Sequence, residues 1–288
     1  MISATLFSDP ACPWAYSASP ALRVLEWRYG DQLEWRLVMI GLTENASQYA
    51  QRGYTPTRMA LGQLMFRRFG MPFAPEPKPR VSATARGCRA VIAARLHDPG
   101  SEFAVYRALH FANFTNGLVL DDDEAIRRAL DDAGFDGERL VAMLDAAEVT
   151  DAYERDRADS RTAEGSPAQL QGKTAASDGP VRFTAPSVLF ERDGQRLVAG
   201  GFQPVEAYDV LIANLNPNLH REPPPETPEP LLARFERGLT TQEIAALLTH
   251  SNDAPDRTGA EAALVELAGA GRATRTPLGD DALWQLAA

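Results

Sequence analysis

Ser8-Asp9-Pro10-Ala11-Cys12-Pro13-Trp14-Ala15-Tyr16 lies between an apolar run and a helical pattern, and it dictates how the chain begins. Met1 to Phe7 reads as a short buried strand with Leu6 and Phe7 at its end. Pro13 suits the first turn of a helix, where its missing N–H costs nothing. Cys12 therefore falls at or beside an N-cap. A thiol there faces unpaired backbone N–H groups and the positive end of a helix dipole, both of which favour thiolate over thiol. The expectation is a reactive Cys12 of lowered pKa. The competing reading is a lone cysteine packed under a loop between two prolines and a tryptophan.

Beyond it, Ala18, Ala21, Leu22 and Leu25 recur at three- and four-residue intervals with Arg23 and Glu26 between them, an amphipathic helix reaching about Tyr29 and stopped by Gly30. Leu33, Trp35, Leu37 and Met39 then alternate with Glu34, Arg36 and Val38 as a second strand. Strand, helix and strand of this length form a βαβ unit, which requires parallel strands in one sheet.

The order strand, Asp-Pro-x-Cys-Pro-Trp, long helix resembles the DsbA-like branch of the thioredoxin superfamily, particularly its cytoplasmic FrnE-like members, which usually read Cys-Pro-Trp-Cys or Cys-Pro-Trp-Ser. This chain has Ala15 in the last place. The resemblance implies that Cys12 is the nucleophile, framed by Pro13, Trp14, Ala15 and Tyr16, and that the second, resolving sulfur of two-cysteine members is missing. Phe183-Thr184-Ala185-Pro186-Ser187-Val188-Leu189-Phe190 carries the resemblance further. In thioredoxin-like folds a cis-proline before the third strand lies beside the active cysteine, and Pro186 matches it, with Ala185 presenting backbone to an extended substrate. Arg192-Asp193-Gly194-Gln195 makes a hairpin turn. A helix with Val205, Tyr208, Leu211, Ile212 and Leu215 on one face closes the unit.

Between these parts, Asn45 to Leu170 is helical in pattern. Met59, Leu61, Leu64, Met65, Phe66, Phe69, Met71 and Phe73 are either ordinary helix packing or a wall over Cys12, since Met and aromatic side chains suit varied apolar partners. Cys88 sits in apolar alternation with Val91, Ile92 and Leu96. It reads as a small core residue, or as a resolving thiol if its Cα comes within about 7 Å of that of Cys12. His110, in an aromatic helix, reads as a satisfied bundle histidine or as a neighbour of the groove. Asp121 to Glu124 opens a helix through capping and the dipole, and needs no metal.

Asn216 to Pro230 holds six prolines in fifteen residues, a stiff linker. After it, Thr240-Thr241-Gln242-Glu243 and Thr258-Gly259-Ala260-Glu261 read as two capping boxes, and Arg272 to Thr276 with Ala282 to Leu286 as a hairpin. Helix, two capped helices and hairpin resemble a small winged helix, a unit found at the carboxy terminus of some actinobacterial DsbA-like proteins. The expected architecture is α/β: a discontinuous thioredoxin-like fold (1–44 and 171–216), an inserted α-helical domain (45–170), a linker (217–230) and a winged-helix-like α+β domain (231–288).

At 288 residues with 44% hydrophobic side chains, the chain can bury more than one core. A net charge of −10 argues against a protein built to neutralise phosphates or sit on anionic membranes. Glu222 to Ala288 carries eleven acidic residues against five arginines and no lysine, so the winged-helix-like unit is not expected to bind nucleic acid. Packing on the main domain or pairing with a second copy is its expected use, which leaves a homo-oligomer open. No apolar run reaches the roughly 20 residues of a membrane span and no leader pattern opens the chain, hence an expected cytoplasmic location. Two cysteines and four scattered histidines make neither a disulfide scaffold nor a metal site.

The leading functional expectation is a single-cysteine thiol–disulfide oxidoreductase or thiol transferase acting on a peptide or small-molecule disulfide or thiol. It holds no tight cofactor and takes its second thiol from glutathione, mycothiol, Cys88 or another protein. Two alternatives stand beside it. One is a glutathione-dependent isomerase or transferase related to 2-hydroxychromene-2-carboxylate isomerase; the other is a non-catalytic peptide or small-molecule binding or adaptor module.

Overall fold

Alternating apolar residues near the start of the chain form β1 (Ile2–Ser8), followed by α1 (Pro13–Ser17), α2 (Ser19–Tyr29) and the parallel strand β2 (Leu33–Met39). One helix was expected from Pro13 to Tyr29, but it breaks at Ala18. Pro20, in the first turn of α2, has no N–H to continue the ladder. The computed structural model describes residues 1–250 and 253–287.

The helical segment contains α3 (Ser47–Gln51), α4 (Pro56–Phe66), α5 (Ala85–His97), α6 (Glu102–Thr115), α7 (Asp123–Asp132), α8 (Gly137–Ala142), α9 (Ala147–Ser160) and α10 (Pro167–Leu170). Asp122 caps α7 by accepting the Ala125 N–H. The chain then makes the two-residue strands β3 (Thr174–Ala175) and β4 (Arg182–Phe183). It returns to the main sheet as β5 (Ser187–Arg192) and β6 (Gln195–Gly200), before α11 (Val205–Leu215). The main sheet runs β2-β1-β5-β6, with β5 antiparallel to β1, so that Phe7 lies opposite Ser187. Asp193 and Gly194, both at positive φ, turn the β5–β6 hairpin.

The two faces of the sheet bury different things. Ile2, Ala4, Leu6, Leu37 and Met39 share the principal core with α5, α6 and α9, whereas Phe7, Val38 and Ile40 pack with Cys12, Phe183 and Ala185. Strand alternation thus separates two cores, and Cys12, from the start of α1, joins the smaller one. Trimming a fully buried Leu6 or Leu37 to alanine costs roughly 2–5 kcal/mol.

The carboxy-terminal α+β region comprises α12 (Glu229–Arg234), β7 (Leu239–Thr240), α13 (Thr241–Leu248), α14 (Arg257–Gly269), β8 (Ala273–Leu278) and β9 (Asp281–Leu286), with a sheet ordered β7-β9-β8. The expected unit also runs through 251, 252 and 288, which lie outside the described residues. Thr240 and Glu243 form the expected capping box. The second expected box is not used: Asp256 caps α14 by accepting the Gly259 N–H, which leaves Thr258 inside the first turn. An aspartate two residues earlier accepts the Gly259 amide and starts the helix there. Strand β7 and the β3–β4 ribbon, each too short to show alternation, had no signal in the sequence.

This region grips the helical insertion. Arg107 of α6 donates to both carboxylate oxygens of Glu243, at 2.5 and 2.7 Å, with Glu243 wholly buried. At the tip of the β8–β9 hairpin, Asp280 accepts the Phe73 N–H (2.7 Å) and returns its own N–H to the Phe73 carbonyl (3.1 Å). Asp280 also pairs with Arg67 at 2.8 Å. Gly279, at φ +58, lets the tip lie against the Phe73 backbone, where a Cβ would stand 3.0 Å from it. The proline-rich segment lies along α2, with the Glu222 N–H bonded to the Arg28 carbonyl and the Trp27 indole N–H to that of Pro223.

Candidate active site

Cys12 occupies the N-cap position of α1 in extended backbone geometry, but its side chain makes no capping bond. Its S–H instead donates to the Ala185 carbonyl at 3.2 Å, in the Ala185–Pro186 peptide, which is cis. The expectation of a lowered pKa is overturned. Only 6% of Cys12 is exposed, and burial pushes its thiol up to about 12. The amides of Ala15 and Trp14 and the guanidinium of Arg182 oppose that shift, while the Asp9 carboxylate adds to it. Helix α1 has five residues, so its dipole is short, and desolvation of a thiolate under Ala185 exceeds what two amides return.

Asp9, three residues before the cysteine, organises the loop. It is fully buried: Oδ1 accepts the Ala11 N–H (2.9 Å), and Oδ2 accepts the Leu42 N–H (2.9 Å) and the Thr84 hydroxyl (2.8 Å). The Cys88 S–H also reaches Oδ2, at 3.5 Å. The sequence signal was available, since an Asp-Pro pair entering a helix start is a turn former that bonds nearby amides. Cys88 is wholly buried in the principal core, whereas Cys12 belongs to the small one, and burial pushes the Cys88 thiol well up, with Asp9 adding to it. Both cysteines are free.

His110 closes the loop from beneath. It is 3% exposed and burial lowers its pKa to about 3, so the ring is neutral. Its Nε2 lies 3.3 Å from the Asp9 carbonyl, which can only accept, so Nε2 carries the proton. Of the two sequence readings of His110, the structure shows the packed bundle histidine, which bonds the carbonyl of the active loop from the side away from the groove. Among the described residues no group of histidine, cysteine or carboxylate side chains has the arrangement of a metal site.

The Met and Phe cluster divides. Phe66 and Phe69 stand against Trp14, at ring distances of 4.9 and 5.7 Å, and Phe202 at 5.6 Å completes the wall. Met71 and Phe73 are buried below, beside Tyr16, whose hydroxyl donates to the Pro72 carbonyl at 2.8 Å. Leu61, Leu64 and Met65 of α4 remain exposed, as does Trp14 at 41%. Beyond Trp14 a hollow of about 320 Å³ runs past Phe69, Phe202, Val205 and Gln242. Ala15 is buried on the inner side of α1, so no side chain near Cys12 on that helix can complete a disulfide. Gln242 of α13, which lies beside Phe69 and Gly70, and the Arg107–Glu243 pair between α6 and α13 were invisible locally because their partners are far along the chain.

A cysteine at a helix start under a cis-proline loop, on a β2-β1-β5-β6 sheet with a helical insertion, defines a thioredoxin-like protein. The chain belongs to the DSBA-like thioredoxin domain family, whose profile matches residues 4–183. Among solved structures it is similar to a disulfide isomerase-like protein from Nitrosomonas europaea, at 17% identity over 74% of this chain and 96% of that one (TM-score 0.56). It is also similar to a DsbA-type oxidoreductase from Streptomyces coelicolor, at 18% identity over 76% and 91% (TM-score 0.56). A third is the cytosolic disulfide reductase DsbM from Pseudomonas aeruginosa, solved with glutathione, at 17% identity over 74% and 98% (TM-score 0.51). No curated protein matches the chain.

Proposed function

We propose that this protein is a single-cysteine thiol–disulfide oxidoreductase or thiol transferase of the FrnE-like kind, with Cys12 as nucleophile and a low-molecular-weight thiol as the resolving partner. The observation that carries the reading is the Cys12 S–H held at 3.2 Å on the Ala185 carbonyl. That carbonyl is where an extended substrate would place its own amide. A substrate N–H bonding there competes with the thiol for that oxygen, which weakens the hydrogen bond that favours the neutral form as the disulfide arrives. Cys12 then gives its proton to solvent, and its sulfur attacks one sulfur of the disulfide. The S–S bond breaks and the other sulfur leaves as a thiolate, which solvent protonates. A second thiolate from solution attacks the substrate sulfur of the mixed disulfide and releases Cys12.

Glutathione or mycothiol suits that second step. Ala15 offers no sulfur, and the Cys88 thiol is wholly buried and directed at Asp9. Glutathione is the molecule bound in the DsbM structure, a likeness of fold. Two unpaired thiols fit a reducing, cytoplasmic setting. No helix among the described residues is long and apolar enough to cross a membrane. The carboxy-terminal region, with its helix, strand, two helices and hairpin, serves here as a winged-helix-like brace, its wing tip occupied by Phe73.

A second reading, a binding module without turnover, is favoured by one observation, the closed and protonated Cys12. The test incubates the folded protein with oxidised glutathione and maps adducts by peptide mass spectrometry. A glutathionyl adduct on Cys12, absent in Cys12→Ser and removed by reduced glutathione, is the expected result. Adduct formation only in denaturant would sink the enzyme reading in favour of the binding module.

A further inference from the structure

Behind α1, on the side away from the substrate groove, lies a cavity of about 350 Å³ between α2, α6 and the β1–β2 face of the sheet. Leu22, Leu33, Trp35, Phe103 and Phe111 give it apolar and aromatic walls, which they share with Arg23, Glu26, Asp31, Arg107 and Arg234. Ala15 and His110 line its inner end. Two of the guanidiniums on its wall are matched, Arg107 by Glu243 and Arg23 by Glu26. The size is that of a small-molecule pocket; Asp31 and Arg234, both exposed, put the remaining charge at its mouth, and the polar side chains of the buried end are Tyr16, Tyr106 and His110.

The Tyr16 and Tyr106 hydroxyls are committed to the Pro72 carbonyl and to Ser8, so the polar group left to select is His110. Its Nε2 proton is committed to the Asp9 carbonyl, so in the neutral ring Nδ1 is an acceptor with a lone pair. A buried end lined by aromatic rings, with the charged side chains either paired or exposed at the mouth and an acceptor on His110, disfavours ions there and favours an aromatic ring carrying one O–H donor.

We propose that this cavity is a second binding site, separate from the Cys12 groove, for a neutral phenol of one or two rings whose hydroxyl donates to His110. Occupancy reaches Cys12 by a short path, because His110 holds the Asp9 carbonyl and Asp9 in turn holds the Ala11 amide beside the cysteine. The site stands whether or not Cys12 turns over.

The experiment titrates the full chain with 2-naphthol, followed by its fluorescence, with naphthalene as the matched probe lacking the hydroxyl. Saturable one-to-one binding of 2-naphthol is expected. His110→Phe, which keeps an aromatic ring and removes the acceptor, should weaken 2-naphthol by about ten-fold and leave naphthalene within about two-fold. Leu22→Trp, which fills the cavity, should abolish both; if that variant does not fold, Leu33→Phe crowds the opposite wall. Absence of saturable binding, or binding unchanged by either filling variant, would overturn the site. Equal losses of both probes in His110→Phe would overturn the phenol assignment. Saturating 2-naphthol should also alter the alkylation rate of Cys12 in the wild type, and an unchanged rate would overturn the link between the two sites.

Discussion

Helix α1 begins at Cys12 with no side-chain cap, while α13 begins at Thr240 with a complete capping box. At α13 the Thr240 hydroxyl accepts the Glu243 N–H, and the Glu243 carboxylate accepts the Thr240 N–H. Arg107 then locks that carboxylate to the insertion. At α1 a sulfur stands where a hydroxyl or carboxylate would serve better, and it gives its proton to Ala185 across the groove. The contrast teaches where the fold is secured and where it is left incomplete. Stability is concentrated at the helix start that no substrate meets, and local stability is forgone at the one where a reacting sulfur would need access to helix amides.

The largest effect that could break this contrast comes from Glu243. Glu243→Ala removes half the capping box and leaves the Arg107 guanidinium buried without its partner, so a loss of about 3–5 kcal/mol in urea unfolding is expected. A loss below about 1 kcal/mol would show that the brace is not energetically central. Acid unfolding sharpens the point. Burial raises the Glu243 pKa, but Arg107, Arg23 and Ser19 more than reverse that and bring it to about 2. Its contribution is present above the ordinary carboxylate value and is lost as pH falls toward 2.

His110 acts earlier in an acid titration. The groups facing it are Tyr16, Tyr106, Arg107 and the Asp9 carbonyl. The unfolded imidazole takes its proton near 6.5 and the folded one only near 3. Between those values the unfolded chain binds the extra proton, so stability rises with pH. It is full above 6.5 and falls by about 1.4 kcal/mol per pH unit below it. Chemical denaturation at pH 6.5 and 5.0 should therefore differ by roughly 2 kcal/mol from this group alone, and His110→Phe should remove that share. An equal difference in the variant would place the acid sensitivity elsewhere.

The hairpin tip is the link between the two helix starts. Asp280→Ala removes the acceptor of the Phe73 N–H and the partner of Arg67, an expected cost of about 1–2 kcal/mol. Phe66 and Phe69 flank this anchored segment and touch Trp14, so Trp14 fluorescence should shift and alkylation of Cys12 should speed up. Unchanged Trp14 emission and an unchanged alkylation rate would mean that the wall holds without the tip.

Much of this arrangement is legible in the sequence, for local reasons. Strand, helix start and second strand follow from alternation and from Pro13, and the helix after Asp122 follows from its cap. What lay beyond reach are contacts between distant residues. The acceptor of the Cys12 proton is 173 residues away and the partner of Arg107 is 136 away, so neither the closed sulfur nor the brace leaves a periodic trace. The lowered pKa failed for that reason. A helix start is visible in sequence, but the burial that outweighs it is supplied by Phe183 and Ala185, which pack on Cys12 from the far end of the insertion.

The smallest effect is the most direct comparison of the two caps. Thr240→Ala should cost about 1–2 kcal/mol, because a formed capping bond is lost. Cys12→Ser should cost nothing measurable, and should stabilise by up to about 1 kcal/mol, because a serine oxygen accepts the α1 amides more strongly than a neutral sulfur does while its O–H still donates to Ala185. The same variant must lose all thiol chemistry. Alkaline unfolding adds an independent readout: the unfolded Cys12 thiol ionises near 9 and the folded one near 12, so wild-type stability falls between those values, and Cys12→Ser lacks that share of the fall. A Cys12→Ser protein destabilised by more than about 1 kcal/mol would mean that the sulfur is there for packing. The open cap would then be a by-product of the small core around Phe183 and Ala185, not a reserve kept for an arriving substrate.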